Sequence, residues 1–243
     1  MLIFVSTATE ANESARPHIV ILIAEGEYQT DQSLTAFANK HLTDFRTTMV
    51  RPDPGDKNQL VGIESVKSAD VLVVSVRRRT LPNDQLQVIR DYIASGKPVI
   101  GIRTASHAFC LRNQDPPPGR VAWPQWDQVV FGGNYTNHHG NQLTTTIQLP
   151  ANSAASAVLL HGIDATKTHS SSGSLYQVSP LAEGTDVYLT GRVDGHPPQP
   201  LAWSYVRADG GKSFYTSLGH VDDFRGDVLP KLLVNAIEWA IAD

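Results

Sequence analysis

His18-Ile19-Val20-Ile21-Leu22-Ile23-Ala24 is the segment on which the reading of the fold turns, because six of its seven residues are apolar. A run this short and this continuously apolar fits a strand covered on both faces, as in a parallel sheet with helices above and below. Downstream, Asp31 to Leu42 places Leu34, Phe37, Ala38 and Leu42 on one helical face, with Thr30 or Asp31 available to cap the first turn. Asp44 to Arg51 is rich in β-branched residues and stops at Pro52, and Asp70 to Val76 repeats the apolar pattern of the first strand. Pro82 opens a second helix whose stripe is Leu86, Ile89 and Ile93 and whose stop is Gly96. Lys97 to Ile102 follows as a fourth strand. Strands alternating with amphipathic helices imply right-handed crossovers, and hence an α/β fold with a mostly parallel sheet and helices on both faces.

The second half reads differently. Leu143 to Leu149, Asp186 to Thr190, Leu201 to Val206 and Lys212 to Leu218 are expected strands, the last two joined as a hairpin across Asp209-Gly210-Gly211. Val228 to Ile241 is a closing helix with Leu232, Leu233, Ile237 and Trp239 for the core. Between these elements lie a Pro-rich loop (Asp115 to Gly119), a Gly/Asn/His loop (Gly132 to Asn141) and a Ser-rich stretch (Ser170 to Ser174). Loops of such length usually serve a site.

With 243 residues and 41% hydrophobic composition, one large core suffices, so residues 18–243 are expected to form a single domain behind a flexible tail, residues 1–17. A net charge of -4 and a pI near 6.1 supply no basic surplus for a phosphate backbone, which argues against nucleic acid and for a small-molecule ligand. Cys110 is the sole cysteine, so no intrachain disulfide forms, and a reducing cytoplasm is the expected location, with an exported form still open. Met1 to Val5 is apolar, but Thr7, Glu10, Asn12 and Glu13 follow at once, which does not match a secretory leader. No apolar run approaches the roughly 20 residues that span a bilayer. A homo-oligomer is compatible with all of this.

In open parallel α/β sheets ligands bind beyond the carboxyl ends of the strands. That rule selects Glu25 to Tyr28 after the first strand, Arg77 to Arg79 after the third, and Arg103, Thr104, Ser106 and His107 after the fourth. Lys97 to His107 is a strand meeting a helix at small residues, the setting of a strained nucleophile elbow. Laid on the G-I-C-x-G-H elbow of class I glutamine amidotransferases, it matches at Gly101 and Ile102, places Arg103 at the cysteine and Ala105 at the second glycine. An arginine stays protonated and cannot attack a carbonyl, so a thioester route through glutamine is closed. Cys110 lies beyond the elbow and reads as a buried small hydrophobe.

Four motifs in order, Glu25-Gly26-Glu27-Tyr28, Ser106-His107-Ala108-Phe109, Phe131-Gly132-Gly133-Asn134-Tyr135 and Phe214 to His220, resemble the trehalose-utilisation (ThuA-like) family. That family is a branch of the class I glutamine amidotransferase-like superfamily. The resemblance runs from about residue 18 to the C-terminus. It implies a flavodoxin-like three-layer sandwich and the handling of sugars or modified sugars.

The expected site follows. His107, His220 and Glu27 are the candidate acid/base groups, His220 being oriented by Asp222 or Asp223. Arg78 and Arg103 are candidates for a carboxylate, phosphate or vicinal diol, with Thr104 beside the elbow. Gly132 and Gly133 offer backbone amides to an oxyanion, and Asn134, His138 and Asp223 add polar contacts. Tyr28, Trp123, Trp126 and Tyr135 could face a sugar ring. No metal ligand set is assigned, although His107, His138 or His139, His220 and an aspartate could meet around a divalent cation. The expected function is carbohydrate processing by a hydrolase, lyase or isomerase. The competing one is a ligand-binding module that kept the cleft and lost the nucleophile.

Overall fold

A computed structural model describes residues 16–150 and 158–242. Its parallel centre is built from the segments singled out above. The strands are β1 (His18–Ala24), β2 (Arg46–Asp53), β4 (Val71–Val76), β5 (Val99–Ile102) and β12 (Lys212–Thr216), paired parallel in the order β2-β1-β4-β5-β12. The chain winds outward from β1 in both directions, so the place where the winding reverses lies between β1 and β4. Helices α1 (Thr30–His41), α2 (Asn83–Ala94) and α3 (Val228–Ile241) cover the two faces. Alternate residues of β1 show why: Ile19, Ile21 and Ile23 pack with Leu34 and Phe37 of α1 and Leu232 and Leu233 of α3. Val20, Leu22 and Ala24 pack with Leu86, Ile89 and Ile93 of α2. Both faces of the strand are therefore dry, which is what its unbroken apolar run requires.

The expected parallel sheet forms the centre, but the sheet as a whole is mixed. Beyond β12 it continues antiparallel through β11 (Gln199–Val206), β10 (Thr185–Arg192), β7 (Thr145–Gln148) and β8 (His169–Ser171). At the other edge β3 (Asp56–Val61) returns antiparallel onto β2. β3 escaped the sequence reading because Asp56-Lys57-Asn58-Gln59 is polar, as suits an edge strand. The remaining pair, β6 (Asn137–His138) and β9 (Tyr176–Gln177), ties the Gly/Asn/His loop to the segment after the Ser-rich stretch.

Of the tail expected over residues 1–17, residues 1–15 lie outside the described residues. Arg16 and Pro17 are anchored, with Arg16 donating to the Thr43 carbonyl at 3.0 Å and the Pro17 carbonyl accepting the Arg46 amide at 3.0 Å. Among the described residues no helix is long and apolar enough to cross a membrane.

Candidate functional site

The turn after β1 is shaped by Glu25. Its carboxylate accepts the amides of Glu27 and Tyr28 at 2.8 Å, the amide of Thr30 at 2.9 Å and the Thr30 hydroxyl at 2.6 Å. One acid thus satisfies the open start of α1 and presents Glu27 and Tyr28 at the sheet's carboxyl end. After β4 the chain is stitched to the elbow, with the Arg78 and Arg79 amides donating to the His107 and Ala108 carbonyls at 3.1 and 2.7 Å. Arg78 and Arg103 both stand in the left-handed region, at φ 50° and 46°, where a side chain on Cβ is strained. The elbow bends as the sequence implied, but a five-residue 3-10 turn, Arg103–His107, follows it in place of a long helix.

These ends and the loops above them enclose a cleft of about 300 Å³ lined by Glu27, Tyr28, Arg77, Arg78, His107, Arg112, Tyr135, His138 and Tyr176. A second hollow of about 230 Å³ shares Arg78, His107, Arg112 and Tyr135, and adds Ser106, Cys110, Asp127 and Asn134 among its walls. Another hollow, of about 290 Å³, lies apart, between α1 and the Val221 to Arg225 segment. The first two sit beside the reversal of winding, where open α/β sheets place ligands.

His107 divides the two lobes. Its ring stacks on Tyr135 at 4.5 Å between centroids, and its Nδ1 lies 3.1 Å from the Ser106 hydroxyl. Burial, followed by Arg78, Arg77, Arg112 and Arg103, drives its pKa well below the usual histidine range, so the imidazole is neutral. Glu27 is half-exposed and pairs with Arg77, Oε2 to Nε at 2.7 Å. The His138 Nδ1 lies 2.7 Å from the His139 carbonyl and donates to it, which fixes the ring at the edge of the cleft.

Arg103 lies beneath the cleft and not in its wall. It is 2% exposed, with its guanidinium carbon 4.2 Å from the Tyr28 ring centroid and 4.8 Å from that of Tyr176. Its Nη atoms donate to the Ser217 carbonyl at 2.8 Å, the Ser174 hydroxyl at 3.2 Å and the Tyr28 hydroxyl at 3.3 Å, while Nε has no partner. Arg103 therefore holds the two tyrosines that face the ligand space. Thr104 is buried beside it and does not line the cleft.

Other expected members are placed elsewhere. The amides of Gly132 and Gly133 both donate to the Asp127 carbonyl, so neither is left for an oxyanion. Gly133 is required for another reason, because a Cβ there would collide with the Asp127 carboxyl. Asp127 accepts the Tyr135 amide at 2.8 Å, and burial pushes its pKa up to about 7. Asn134 reaches the second lobe only. Asp223 accepts the Gly219 and His220 amides at 2.9 Å each, which makes it a loop-shaping group outside the cleft. His220 meets the edge of Tyr28 at 6.1 Å between centroids, while its Nδ1 accepts the Asp222 amide at 3.3 Å. It stands behind Tyr28 and does not share a cavity wall with His107. Among the described residues no three His, Cys, Asp or Glu side chains converge to hold a metal ion, so the four-group cation site does not assemble. Trp126 is core, with its indole N–H on the Ala105 carbonyl at 2.7 Å, and Trp123 stacks with Arg90.

The model of the family described as trehalose utilisation matches residues 18–240. The chain belongs to the ThuA family. Among curated proteins no sequence matches it. A ThuA-like protein from Bacteroides uniformis is 16% identical with a TM-score of 0.66, covering 94% of each chain. Another, from Parabacteroides merdae, is 13% identical with a TM-score of 0.59, over 93% of this chain and 90% of that one. A cytoplasmic protein from Salmonella typhimurium is 13% identical with a TM-score of 0.55, over 92% and 98%. At such identities the likeness concerns the ThuA fold alone.

Proposed function

We propose that this ThuA-family chain binds a sugar in the cleft around His107 and carries out acid/base chemistry on it. The observation that carries the reading is the His107 imidazole, stacked on Tyr135 and lining one cavity with Glu27. Flat aromatic faces suit the C–H side of a sugar ring, and an imidazole with a carboxylate suits proton transfer in a hydrolase, lyase or isomerase. Glutamine amidotransfer is left out because Arg103 occupies the nucleophile's place. The parallel order β2-β1-β4-β5-β12 supports the finer assignment of the centre to the flavodoxin-like, amidotransferase-like winding. The unpaired, half-buried Cys110 supports a reducing cytoplasmic compartment.

The second reading is a binding module. It is favoured by the same guanidiniums, because an imidazole held so far below its usual pKa is a weak base. Binding and turnover measured on a panel of disaccharides and oxidised sugars, with and without divalent metal, test both. Turnover that His107→Ala abolishes is the expected result. Binding without turnover selects the module, and neither binding nor turnover across the panel defeats the proposal.

A further inference from the structure

We propose that the ligand of the first lobe is an anionic sugar, one bearing a carboxylate or phosphate that docks between Arg78 and Arg112. The inference rests on reading the cleft as a sugar site and names the class of sugar it selects.

Charge is the first argument. Although the chain as a whole carries -4, the lobe gathers Arg77, Arg78 and Arg112 on its walls against the single carboxylate of Glu27. Glu27 is already engaged by Arg77. Arg78 and Arg112 have neither an ion pair nor a side-chain hydrogen bond among the described residues, and both line both lobes. Two unpaired guanidinium forks, the half-buried Arg78 and the exposed Arg112, line one partly open cleft and offer a receptor for an oxyanion group, since planar N–H pairs match carboxylate and phosphate oxygens.

The strain points the same way. Arg78 is held at φ 50°, and the hydrogen bond from its amide to the His107 carbonyl fixes the backbone that aims it. Burial works against its charge, and Arg112 and Arg77 add to the opposition. An arriving anion relieves this repulsion, whereas a neutral sugar leaves it in place. The aromatic side of the lobe explains why the anion should carry a ring. Tyr135 and Tyr176 lie 4.7 Å apart between centroids next to the stacked His107, a surface that an inorganic ion would not use. At about 300 Å³ the lobe is at the lower end of small-ligand sites.

Calorimetric titration of the full chain at low salt with glucose, glucuronate, glucose 6-phosphate, acetate and inorganic phosphate tests the proposal. At least one of the two acidic sugars should bind about tenfold or more tighter than glucose and than the simple anions, with an affinity that falls as salt rises. Which acidic sugar binds better identifies the acid group. Arg78→Gln and Arg112→Gln should each lower that affinity about tenfold and weaken glucose binding much less, so that the preference for the acidic sugar shrinks. The second variant guards against misfolding at the strained position. Glucose binding as tightly as both acidic sugars overturns the inference and spares the sugar site. Acetate or phosphate binding as tightly as its sugar counterpart removes the ring from the argument. Loss of binding to every sugar tested defeats the sugar reading itself.

Discussion

The two ends of the pair β5 and β12 each bury one arginine, and they do so in opposite ways. At the amino end Arg207 gives its Nε to Asp209 at 3.1 Å and its Nη atoms to the Lys97 carbonyl at 2.8 Å, the Lys212 carbonyl at 3.2 Å and the Ser213 hydroxyl at 3.0 Å. Gly211 passes so close to this guanidinium that no Cβ fits. At the carboxyl end Arg103 has no carboxylate on its guanidinium, keeps an unpartnered Nε and lies between two tyrosine rings. One end is a completed clamp that closes a hairpin. The other leaves Arg103 without an ion pair, with Arg78 and Arg112 likewise unpaired outward of it among the described residues, and it is the end at which the proposed anion would dock.

The largest effect should come from making the same substitution at both arginines. Arg207→Met removes the pair with the partly exposed Asp209 and leaves several buried acceptors without a donor, and should lower stability by about 2–4 kcal/mol. Arg103→Met leaves no carboxylate behind and removes a desolvated charge, so about 1–2 kcal/mol is expected. Urea unfolding of the two variants measures the difference. Equal losses would mean that Arg103 is as fully compensated as Arg207, and the contrast would disappear.

The regular half of the fold was legible because its physics is local. The continuous apolar runs of β1 and β4 and the stripe of α2 can be recognised without a partner, and all three elements lie within a residue or two of where they were expected. The antiparallel edge strand β3 was not legible, since polar Asp56 to Gln59 pair by backbone alone. The site divides in the same way. Tyr28, Arg78 and His107 follow strand ends and are found in the cleft, whereas Arg112 reaches it from a loop and Tyr176 from the two-residue strand β9, neither of which any periodicity encodes. His220 and Asp223 follow β12, the last parallel strand, yet the Gly219-His220 amides fold onto the Asp223 carboxylate and keep both groups out of the cavity. For Gly133 the sequence signalled a close approach, which exists, but towards Asp127.

Asp127 sharpens the contrast next, as a buried acid on the ligand-facing side. Its carboxyl sits at about 7 in the folded chain against 3.8 in its ordinary state. The folded protein therefore holds a proton that the unfolded chain has released, and stability falls as pH rises from about 4 towards and past 7. Between pH 5 and 7 this group alone should remove about 2 kcal/mol. Asp127→Asn should flatten that difference while keeping an acceptor for the Tyr135 amide. Parallel pH profiles of variant and parent would expose a mistake in the assignment.

The smallest effect on the fold concerns Glu27, where the clamp end and the ligand end should differ most plainly in kind. Its pair with Arg77 is more than two-fifths exposed on both sides, so Glu27→Gln should change stability by less than about 1 kcal/mol. The same substitution releases Arg77 into a lobe that already holds two unpaired guanidiniums. Affinity for an acidic sugar should then rise a few-fold, by about 0.5–1 kcal/mol, and any turnover in which Glu27 handles a proton should fall. Tighter binding with lost turnover places Glu27 in the chemistry, whereas tighter binding with turnover intact makes it only a charge regulator of the cleft. A loss of stability as large as that of Arg207→Met would show that this end, too, is built mainly to hold the fold together.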